Sequence, residues 1–157
     1  MTTIDFNKFL NRLVMFEGLR TKAYKDSVGI YTIGIGSIRH PDGTPVKQGD
    51  VITEKQAYEW AEVEARYMFK QLLGMLKVEQ SESQLIALLC LMYNIGTAGL
   101  KSSSVLKSIN EKKPVTEIET NWMKWNKGTV NGQKVELKGL TVRRKSEFNL
   151  YSGKSKM

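Results

Sequence analysis

Cysteine and histidine are scarce in this chain of 157 residues, which has one of each, Cys90 and His40. A single cysteine excludes an internal disulfide, and two side chains of these types do not form a zinc-type metal cluster. Cys90 falls in a strongly apolar segment, which favours a small buried side chain over a nucleophile. His40 stands beside Pro41 and Gly43, which predicts an exposed turn. We therefore predict no metal, no cofactor and no dependence of the fold on oxidation.

Long apolar runs are also missing from the sequence. No window of about 18 residues is apolar enough to span a membrane. The N-terminal segment lacks the uninterrupted apolar core of a signal peptide, because polar and charged residues break it up: Asp5, Asn7, Lys8, Asn11 and Arg12. We expect a protein without a transmembrane segment or signal peptide that stays in the cytoplasm where it is made.

Positive charge, in contrast, is in excess. The chain has 24 Lys and Arg against 16 Asp and Glu, a formal net charge of +8. Such a balance favours attraction to polyanions: nucleic acid, anionic lipid, or the acidic polymers of a bacterial envelope. The basic residues are scattered through all segments and no nucleic-acid-binding motif is present, so we predict no nucleic-acid partner. A non-catalytic basic module that binds envelope polyanions or nucleic acid stays as one alternative.

The first periodic segment ends on an acid. Apolar residues recur at the three-and-four spacing of a helix with one buried face: Phe6, Phe9, Leu10, Leu13 and Val14. With Asp5 as the cap, this pattern predicts a helix over 5–17. Glu17 follows Phe6 by nearly three whole turns, so its carboxyl group continues the apolar face, and Gly18 then ends the helix. Apolar neighbours and the helix end both disfavour a charged carboxylate there.

A second carboxyl group and a hydroxyl follow in segments of strand character. Residues 26–29, Asp-Ser-Val-Gly, predict a hairpin turn, and residues 30–36 predict a strand. In that strand Thr32 would share a face with Gly34 and Gly36, which leaves bare backbone for a ligand or another segment to approach. An acid, a second carboxylate and a hydroxyl in one stretch are the groups that glycoside hydrolysis requires.

The remainder of the chain predicts a mainly helical α+β protein of one domain. Capping boxes at Thr53, Ser81 and Thr116 predict three helix starts, and Asn131-Gly132 predicts a small hairpin. The segment after Ser81 is apolar on almost all sides, as expected of a central helix. The predicted order is a helix over 5–17, a small β lobe over about 18–53, a long linking helix over about 54–77, and a helical lobe over about 81–152.

The spacing of Glu17, Asp26 and Thr32 resembles that of the phage-type lysozymes of glycoside hydrolase family 24. The flanking Phe16-Glu17-Gly18 and Thr32-Ile33-Gly34-Ile35-Gly36 match as well. Later landmarks follow in the order of the family, so the resemblance covers nearly the whole chain: Asn94-Ile95-Gly96, the serines at 102–104, Trp122, Trp125, Gly139-Leu140, Arg143-Arg144 and Glu147.

The resemblance implies a lysozyme-like fold with the substrate cleft between the two lobes, and the activity of an endolysin. Such a muramidase hydrolyses the β-1,4 bond between N-acetylmuramic acid and N-acetylglucosamine in peptidoglycan and lyses the host. Glu17 would be the general acid, Asp26 would orient water or stabilise positive charge, and Thr32 would hold that water. The implied partners are peptidoglycan and a holin that opens the membrane, with the enzyme acting on the wall as a monomer.

Further positions acquire expected roles from the same resemblance. Ile38, Tyr93 and Ser103 match residues that line the cleft of the family. An arginine of the Arg143-Arg144 pair is expected to approach Glu17 and support it.

One departure and one further alternative concern the reaction. Many members of the family have a histidine after the second glycine of the strand, where this chain has Ser37. Ser37 does not supply the positioning that the histidine provides in those members, but the two acids, Glu17 and Asp26, are both present. A lytic transglycosylase, which needs one acid and no activated water, stays as the enzymatic alternative, and Asp26 and Thr32 argue against it.

Overall fold

The computed structural model describes residues 2–26 and 28–155, and its class is α+β with helices in the majority. Over those residues there are seven α-helices and two antiparallel sheets of two strands each. The elements are α1 (Phe6–Glu17), β1 (Arg20–Lys25), β2 (Tyr31–Gly34), α2 (Glu54–Met75), α3 (Glu82–Ile95), α4 (Thr97–Lys101), α5 (Ser104–Asn110), α6 (Val115–Met123), β3 (Lys127–Val130), β4 (Gln133–Glu136) and α7 (Lys138–Ser152). The predicted fold class is confirmed.

The chain forms two compact units. One is Asp5–Tyr67, and the other contains the residues up to Ile4 together with those from Met68 onward. The boundary falls inside α2, a helix of 22 residues. That the chain acts as a single catalytic domain with the predicted bounds stays a prediction.

Helix α1 begins and ends where the sequence predicts. The Asp5 side chain accepts hydrogen bonds from the backbone N–H groups of Asn7 and Lys8, which satisfies two donors at the open helix end. Its buried face consists of Phe6, Phe9, Leu10 and Leu13. The helix stops because Gly18 adopts a φ of 73°, which glycine accepts without a side-chain clash, and its N–H bonds to the carbonyl of Val14. Glu17 is therefore the last helical residue.

The strand after the first turn is shorter than predicted. β2 ends at Gly34, and the chain then reverses so that Ile33 and Ser37 exchange two backbone hydrogen bonds of 2.8 and 2.9 Å. Gly34 and Gly36 have φ values of 64° and 71°, a left-handed conformation that interrupts a strand. The prediction of one strand through Gly36 is therefore wrong. Ser27, in the predicted hairpin turn, lies outside the described residues.

A side-chain contact between Asp50 and His40 stabilises the segment between β2 and α2. The carboxylate of Asp50 accepts a hydrogen bond from the Lys47 N–H at 3.0 Å and lies 2.8 Å from Nε2 of His40. The His40 ring packs against Trp60, with centroids 5.1 Å apart. His40 begins a turn as predicted, since its carbonyl accepts the Gly43 N–H at 2.9 Å, but its side chain is only partly exposed because Asp50 and Trp60 contact the ring.

This arrangement predicts a pH-dependent contribution to stability. The Lys47 N–H, and then the hydrogen bond to His40, lower the pKa of Asp50 from its ordinary value of 3.8. A lowered folded-state pKa adds stability above the ordinary value, and that stability is lost as pH falls through the folded-state pKa. We expect Asp50→Asn to have a lower Tm than the parent at neutral pH, with the difference shrinking below about pH 4.

Thermal unfolding of both proteins from acidic to neutral pH measures this difference. Asp42, whose pKa is also lowered, chiefly by its side-chain hydrogen bond with Thr44, is present in both proteins and cancels in the comparison. A Tm difference that stays constant with pH would contradict the assignment.

The other unit is built around α3. Eight consecutive residues, Leu85–Met92, are buried, and α3 packs chiefly against α7. The predicted capping boxes at Thr53 and Ser81 are both present as reciprocal hydrogen bonds. The capping box predicted at Thr116 is wrong: α6 begins at Val115, after Pro114, whose ring fixes φ close to the helical value. The predicted hairpin turn at Asn131-Gly132 joins β3 and β4.

Among the described residues, no helix has the length and hydropathy that crossing a membrane requires.

Candidate active site

Glu17 lies against bare backbone. It is half-buried at the end of α1, and a Cβ atom placed on Gly36 would stand 2.8 Å from its Oε1 and 3.2 Å from its Cδ. Real Cβ atoms do not approach oxygen that closely, so only glycine leaves room for this carboxyl group. The sequence predicted that a ligand or another segment approaches the bare backbone at Gly34 and Gly36. The group next to Gly36 is the side chain of Glu17, whereas Gly34 lies against Ile52 and Ala57.

This contact predicts that Gly36→Ala damages activity more than folding. The new methyl group would displace the Glu17 carboxyl group, which is the flexible end of its side chain and moves at little cost. The left-handed backbone adds about 1 to 2 kcal/mol of strain. With Glu17 as the acid that the family resemblance implies, we expect hydrolysis of peptidoglycan to fall at least about ten-fold, since small displacements of a catalytic group are costly.

Gly43→Ala is the matched control, because Gly43 has a φ of 90° and a Cβ atom placed on it would have nothing within 4 Å. It should show the same backbone strain in urea unfolding and near-normal activity. Equal losses of activity in both variants would show that Gly36 acts through stability alone.

Asp26 uses one carboxylate oxygen to build its own turn. Oδ1 accepts hydrogen bonds from the backbone N–H groups of Val28 and Ile30, each at 2.9 Å. Its backbone N–H bonds to the carbonyl of Ile30, so the hairpin pairing continues past the end of β1. Among the described residues no donor reaches Oδ2. Asp26 is half-buried, and within the described part of the chain its Oδ2 is available for a further hydrogen bond.

Thr32 lies on the same face of the hairpin as Asp26. It pairs with Tyr24 across the two strands, while Asp26 pairs with Ile30 two residues along. Thr32 and Asp26 are therefore diagonal neighbours, a relation that brings Cβ atoms to within about 8 Å. Thr32 is 5% exposed, and its hydroxyl donates to the carbonyl of Ile30 at 3.1 Å. Its oxygen still has lone pairs that can accept a hydrogen bond.

Tyr24 lies within electrostatic reach of Glu17, Asp26 and Arg20. The sequence alone did not indicate Tyr24 as part of the site. Burial raises the pKa of Tyr24, the Arg20 guanidinium lowers it, and the carboxylates of Glu17 and Asp26 both raise it. Both acids therefore act on one phenol group. The Arg20 guanidinium stands 4.6 Å from the centre of the Tyr24 ring. The alternation of side chains along β1, which puts Tyr24 on the face of Asp26, is the signal that could have found it.

The arginine pair is bound to Glu147 in the core of the other unit. Arg143 Nε lies 3.0 Å from Glu147 Oε2, Arg144 Nη2 lies 2.9 Å from the same oxygen, and Arg144 Nε lies 2.8 Å from Oε1. The indole N–H of Trp122 donates to Oε1 at 3.1 Å. All four side chains are buried. The expected approach of one of these arginines to Glu17 stays a prediction.

The three positions expected to bind substrate have different surroundings. Ile38 is 46% exposed in the Asp5–Tyr67 unit, and Tyr93 is half-buried on α3. Ser103 is buried and caps α5, because its oxygen accepts the Leu106 N–H at 3.1 Å while its hydroxyl donates to the Leu100 carbonyl at 2.7 Å. The capping role of Ser103 is thus observed, and contact of these three residues with substrate stays a prediction.

The described part of the chain contains no group of three or more His, Cys, Asp or Glu side chains arranged to hold a metal ion. The chemistry available at this site is that of two carboxyl groups and a hydroxyl.

Comparisons with known proteins agree on one family. The family model described as "Phage lysozyme" matches residues 14–147. An endolysin of Acyrthosiphon pisum secondary endosymbiont phage 1 is 33% identical over 136 residues, covering 87% of this chain and 89% of that protein. An endolysin of Bacillus phage B103 is 36% identical over 150 residues, covering 94% of this chain and 54% of that protein, so this chain spans about half of its length.

A solved structure agrees with these sequence matches. The endolysin from Escherichia coli O157:H7 phage FAHEc1 aligns with a TM-score of 0.90 and 34% identity, covering 99% of this chain and 97% of that one.

Proposed function

The chain belongs to the phage lysozyme family, and from this premise we propose that it hydrolyses the β-1,4 bond between N-acetylmuramic acid and N-acetylglucosamine in peptidoglycan and so lyses the host cell. The observation that carries the proposal is the contact of the Glu17 carboxyl group with Gly36, in the same unit as Asp26 and Thr32. Glu17 and Asp26 supply the two carboxyl groups, and Thr32 supplies the hydroxyl group, that cleavage of a glycosidic bond needs.

Glu17 is the general acid in this proposal. Its proton passes to the glycosidic oxygen as the bond to the anomeric carbon breaks, so the leaving sugar departs as a neutral alcohol and the oxocarbenium-like charge develops on the ring that remains. The absence of a side chain at Gly36 leaves the space that the carboxyl group occupies, and this supports the position from which it gives its proton.

Asp26 and Thr32 hold and activate the attacking water. Asp26 Oδ1 is occupied by two backbone N–H groups, which fixes the orientation of the carboxylate and leaves Oδ2 for one hydrogen of the water. The Thr32 hydroxyl donates a hydrogen bond to the Ile30 carbonyl, so its oxygen accepts a hydrogen bond from the other hydrogen of the water. The lone pair of the water then points away from both groups. Its attack on the anomeric carbon, with one proton passing to Asp26, inverts the configuration.

The proposal extends to the setting of the reaction. Peptidoglycan is the partner, a holin opens the membrane so that the enzyme made in the cytoplasm reaches the wall, and the enzyme acts as a monomer. These expectations rest on membership of the family.

The products of digestion test the proposal. The protein is incubated with purified peptidoglycan, turbidity is followed, and the released fragments are analysed by mass spectrometry and by NMR immediately after cleavage. We expect fragments that end in reducing N-acetylmuramic acid, released first as the α-anomer. Anhydro-muramic ends would instead identify a transglycosylase, a β-anomer would identify a retaining mechanism, and binding without clearing would identify a non-catalytic module.

A further inference from the structure

A cavity of about 850 Å³ lies in the unit that contains the residues from Met68 onward. Its volume is within the range of sites that hold small molecules. We call it the lysine pocket, and the residues of its lining that matter here are Gln71, Lys77, Lys101, Ser104, Lys107 and Glu111. Of the residues expected to contact substrate, only Ser103 belongs to the lining, and its side chain is occupied in capping α5.

Side-chain hydrogen bonds hold the walls of the lysine pocket together. Asn110 joins α5 to the end of α2, because its Nδ2 donates to the Met75 carbonyl at 3.0 Å and its Oδ1 accepts the Lys77 N–H at 2.8 Å. Thr97, at the start of α4, donates from its hydroxyl to Oε1 of Gln71 at 3.1 Å. Three helices are thus linked around the cavity, which supports a preformed site.

Three ammonium groups from three segments line this cavity. Lys77 follows α2, Lys101 ends α4 and Lys107 lies in α5. All three are exposed, and within the described part of the chain none of them forms an ion pair. Glu111 is the one acid among the described residues of the lining, and it lies 4.0 Å from Lys113. Positive charges gathered without partners attract an anion.

Two uncharged side chains of the lining offer further hydrogen-bond donors. Because Oε1 of Gln71 accepts from Thr97, the NH₂ group of Gln71 is left to donate. Ser104 is exposed and carries a hydroxyl group. Ammonium, amide and hydroxyl donors around one cavity match the oxygens of a phosphate group, and lysine is a common phosphate ligand in proteins.

The lining offers little to a sugar ring, a nucleobase or a lipid tail. Among its described residues there is no aromatic side chain, the kind on which sugars and bases stack. It also includes none of the large apolar side chains that are exposed in the described part of the chain, which a membrane surface would take up. These features favour a phosphate-bearing chain without bases.

We propose that the lysine pocket binds a phosphate group of a phosphodiester polymer in the cell wall, of the poly(glycerol phosphate) class. The three ammonium groups contact the phosphate oxygens, and Gln71 and Ser104 donate to the oxygens that remain. Such binding retains the protein on the wall while the glycan is cleaved. The inference goes beyond the proposed function, from which it takes the wall as the setting, because Glu17, Asp26 and Thr32 are not in the pocket.

Calorimetric titration with an oligomer of glycerol phosphate, at physiological salt, tests the proposal. The three lysines of the pocket are changed together to glutamine, which gives the pocket variant. The matched control changes Lys127, Lys134 and Lys145 to glutamine, three exposed lysines that do not line the pocket. Both variants lose three positive charges, so their net charge is the same.

We expect the pocket variant to bind the oligomer at least about ten-fold more weakly than the parent, and the control variant to lose less than about three-fold, because salt screens charges that stand apart. Glu111→Gln should bind about two- to three-fold more tightly, because it removes the acid of the lining. All the variants should unfold at nearly the temperature of the parent, since the substituted side chains are exposed.

Rival ligands are tested with their own probes. Equal losses in the pocket and control variants would show that net charge alone attracts the oligomer, and would overturn the proposal. The same holds if the pocket lysines govern binding of another probe and not of the oligomer. Inorganic pyrophosphate would then identify a free anion, phosphatidylglycerol vesicles a membrane, single-stranded DNA a nucleic acid, and an N-acetylglucosamine oligomer a site for the glycan itself.

Hydrolysis is measured separately, on peptidoglycan from which the phosphate polymers have been removed. The parent and the pocket variant should clear it at the same rate. If neither clears it and binding of the oligomer still depends on the pocket lysines, the hydrolase proposal fails and the pocket stands. If the parent clears it and the pocket variant binds the oligomer as well as the control variant does, the pocket fails alone.

Discussion

Glu17→Gln is expected to lower the rate of peptidoglycan hydrolysis by about 10²- to 10⁴-fold, the contribution of a positioned general acid. Glutamine has nearly the shape of glutamate and fits the same space against Gly36, but its amide N–H groups are too weakly acidic to protonate the departing oxygen. The loss should appear in kcat and in kcat/KM equally, because the proton is transferred in the transition state. Turbidity of purified peptidoglycan and the formation of reducing ends are the measurements.

Glu79→Gln is the control for this prediction, since Glu79 is exposed and lies outside the candidate site. Both variants should unfold at nearly the temperature of the parent, which separates lost chemistry from lost folding. A Glu17→Gln protein that retained more than about a tenth of the parent activity would exclude Glu17 as the acid. Asp26, whose carboxylate is on the same hairpin face as Thr32, would then be the candidate acid.

The largest effect on stability is expected from Glu147→Gln. Glu147 is 1% exposed and its carboxylate is contacted by Arg143, Arg144 and Trp122. Removing its charge leaves two buried guanidinium groups without their carboxylate, a change that costs about 3 to 5 kcal/mol. For a chain of this length that loss lowers Tm by roughly 10 °C. Urea denaturation of the two proteins measures the difference in free energy of unfolding.

An exposed pair of the same kind is the matched control. Glu62 and Arg66 stand four residues apart on α2 with Nε and Oε2 at 2.9 Å, close to the 3.0 Å between Arg143 and Glu147. Because water screens that pair, Glu62→Gln should cost less than about 1 kcal/mol. If the two substitutions cost the same, burial does not govern the contribution of Glu147.

The sequence correctly predicted helix ends and turns that depend only on residues close by in the chain. The capping residues Asp5, Thr53 and Ser81 start their helices as predicted, because a cap bonds to backbone within three residues. Gly18 ends α1, so the position of Glu17 at the last helical residue followed from residues 5–18 alone. The turn at Asn131-Gly132 is equally local.

The predictions that were wrong concern residues whose contacts or backbone conformation depend on other segments of the chain. The turn at His40 is present, but its side chain was expected to be exposed, and contacts with Asp50 and Trp60, neither of them a neighbour in sequence, bury it in part. The continuous strand through Gly36 was wrong because strand periodicity does not distinguish an extended glycine from one with positive φ. Thr116 carried the correct capping pattern, yet Pro114 started the helix earlier.

From the sequence alone followed the α+β class, the starts of α1, α2 and α3, the positions of Glu17, Asp26 and Thr32 in their elements, and the family. Contacts between residues far apart in the sequence depend on the tertiary structure. The contact of Glu17 with Gly36 and the burial of Arg143 and Arg144 around Glu147 both depend on the packing of distant segments. Helix and turn propensities act over a few residues, whereas the Trp122–Glu147 bond joins positions 25 apart, so its formation depends on how α6 and α7 pack.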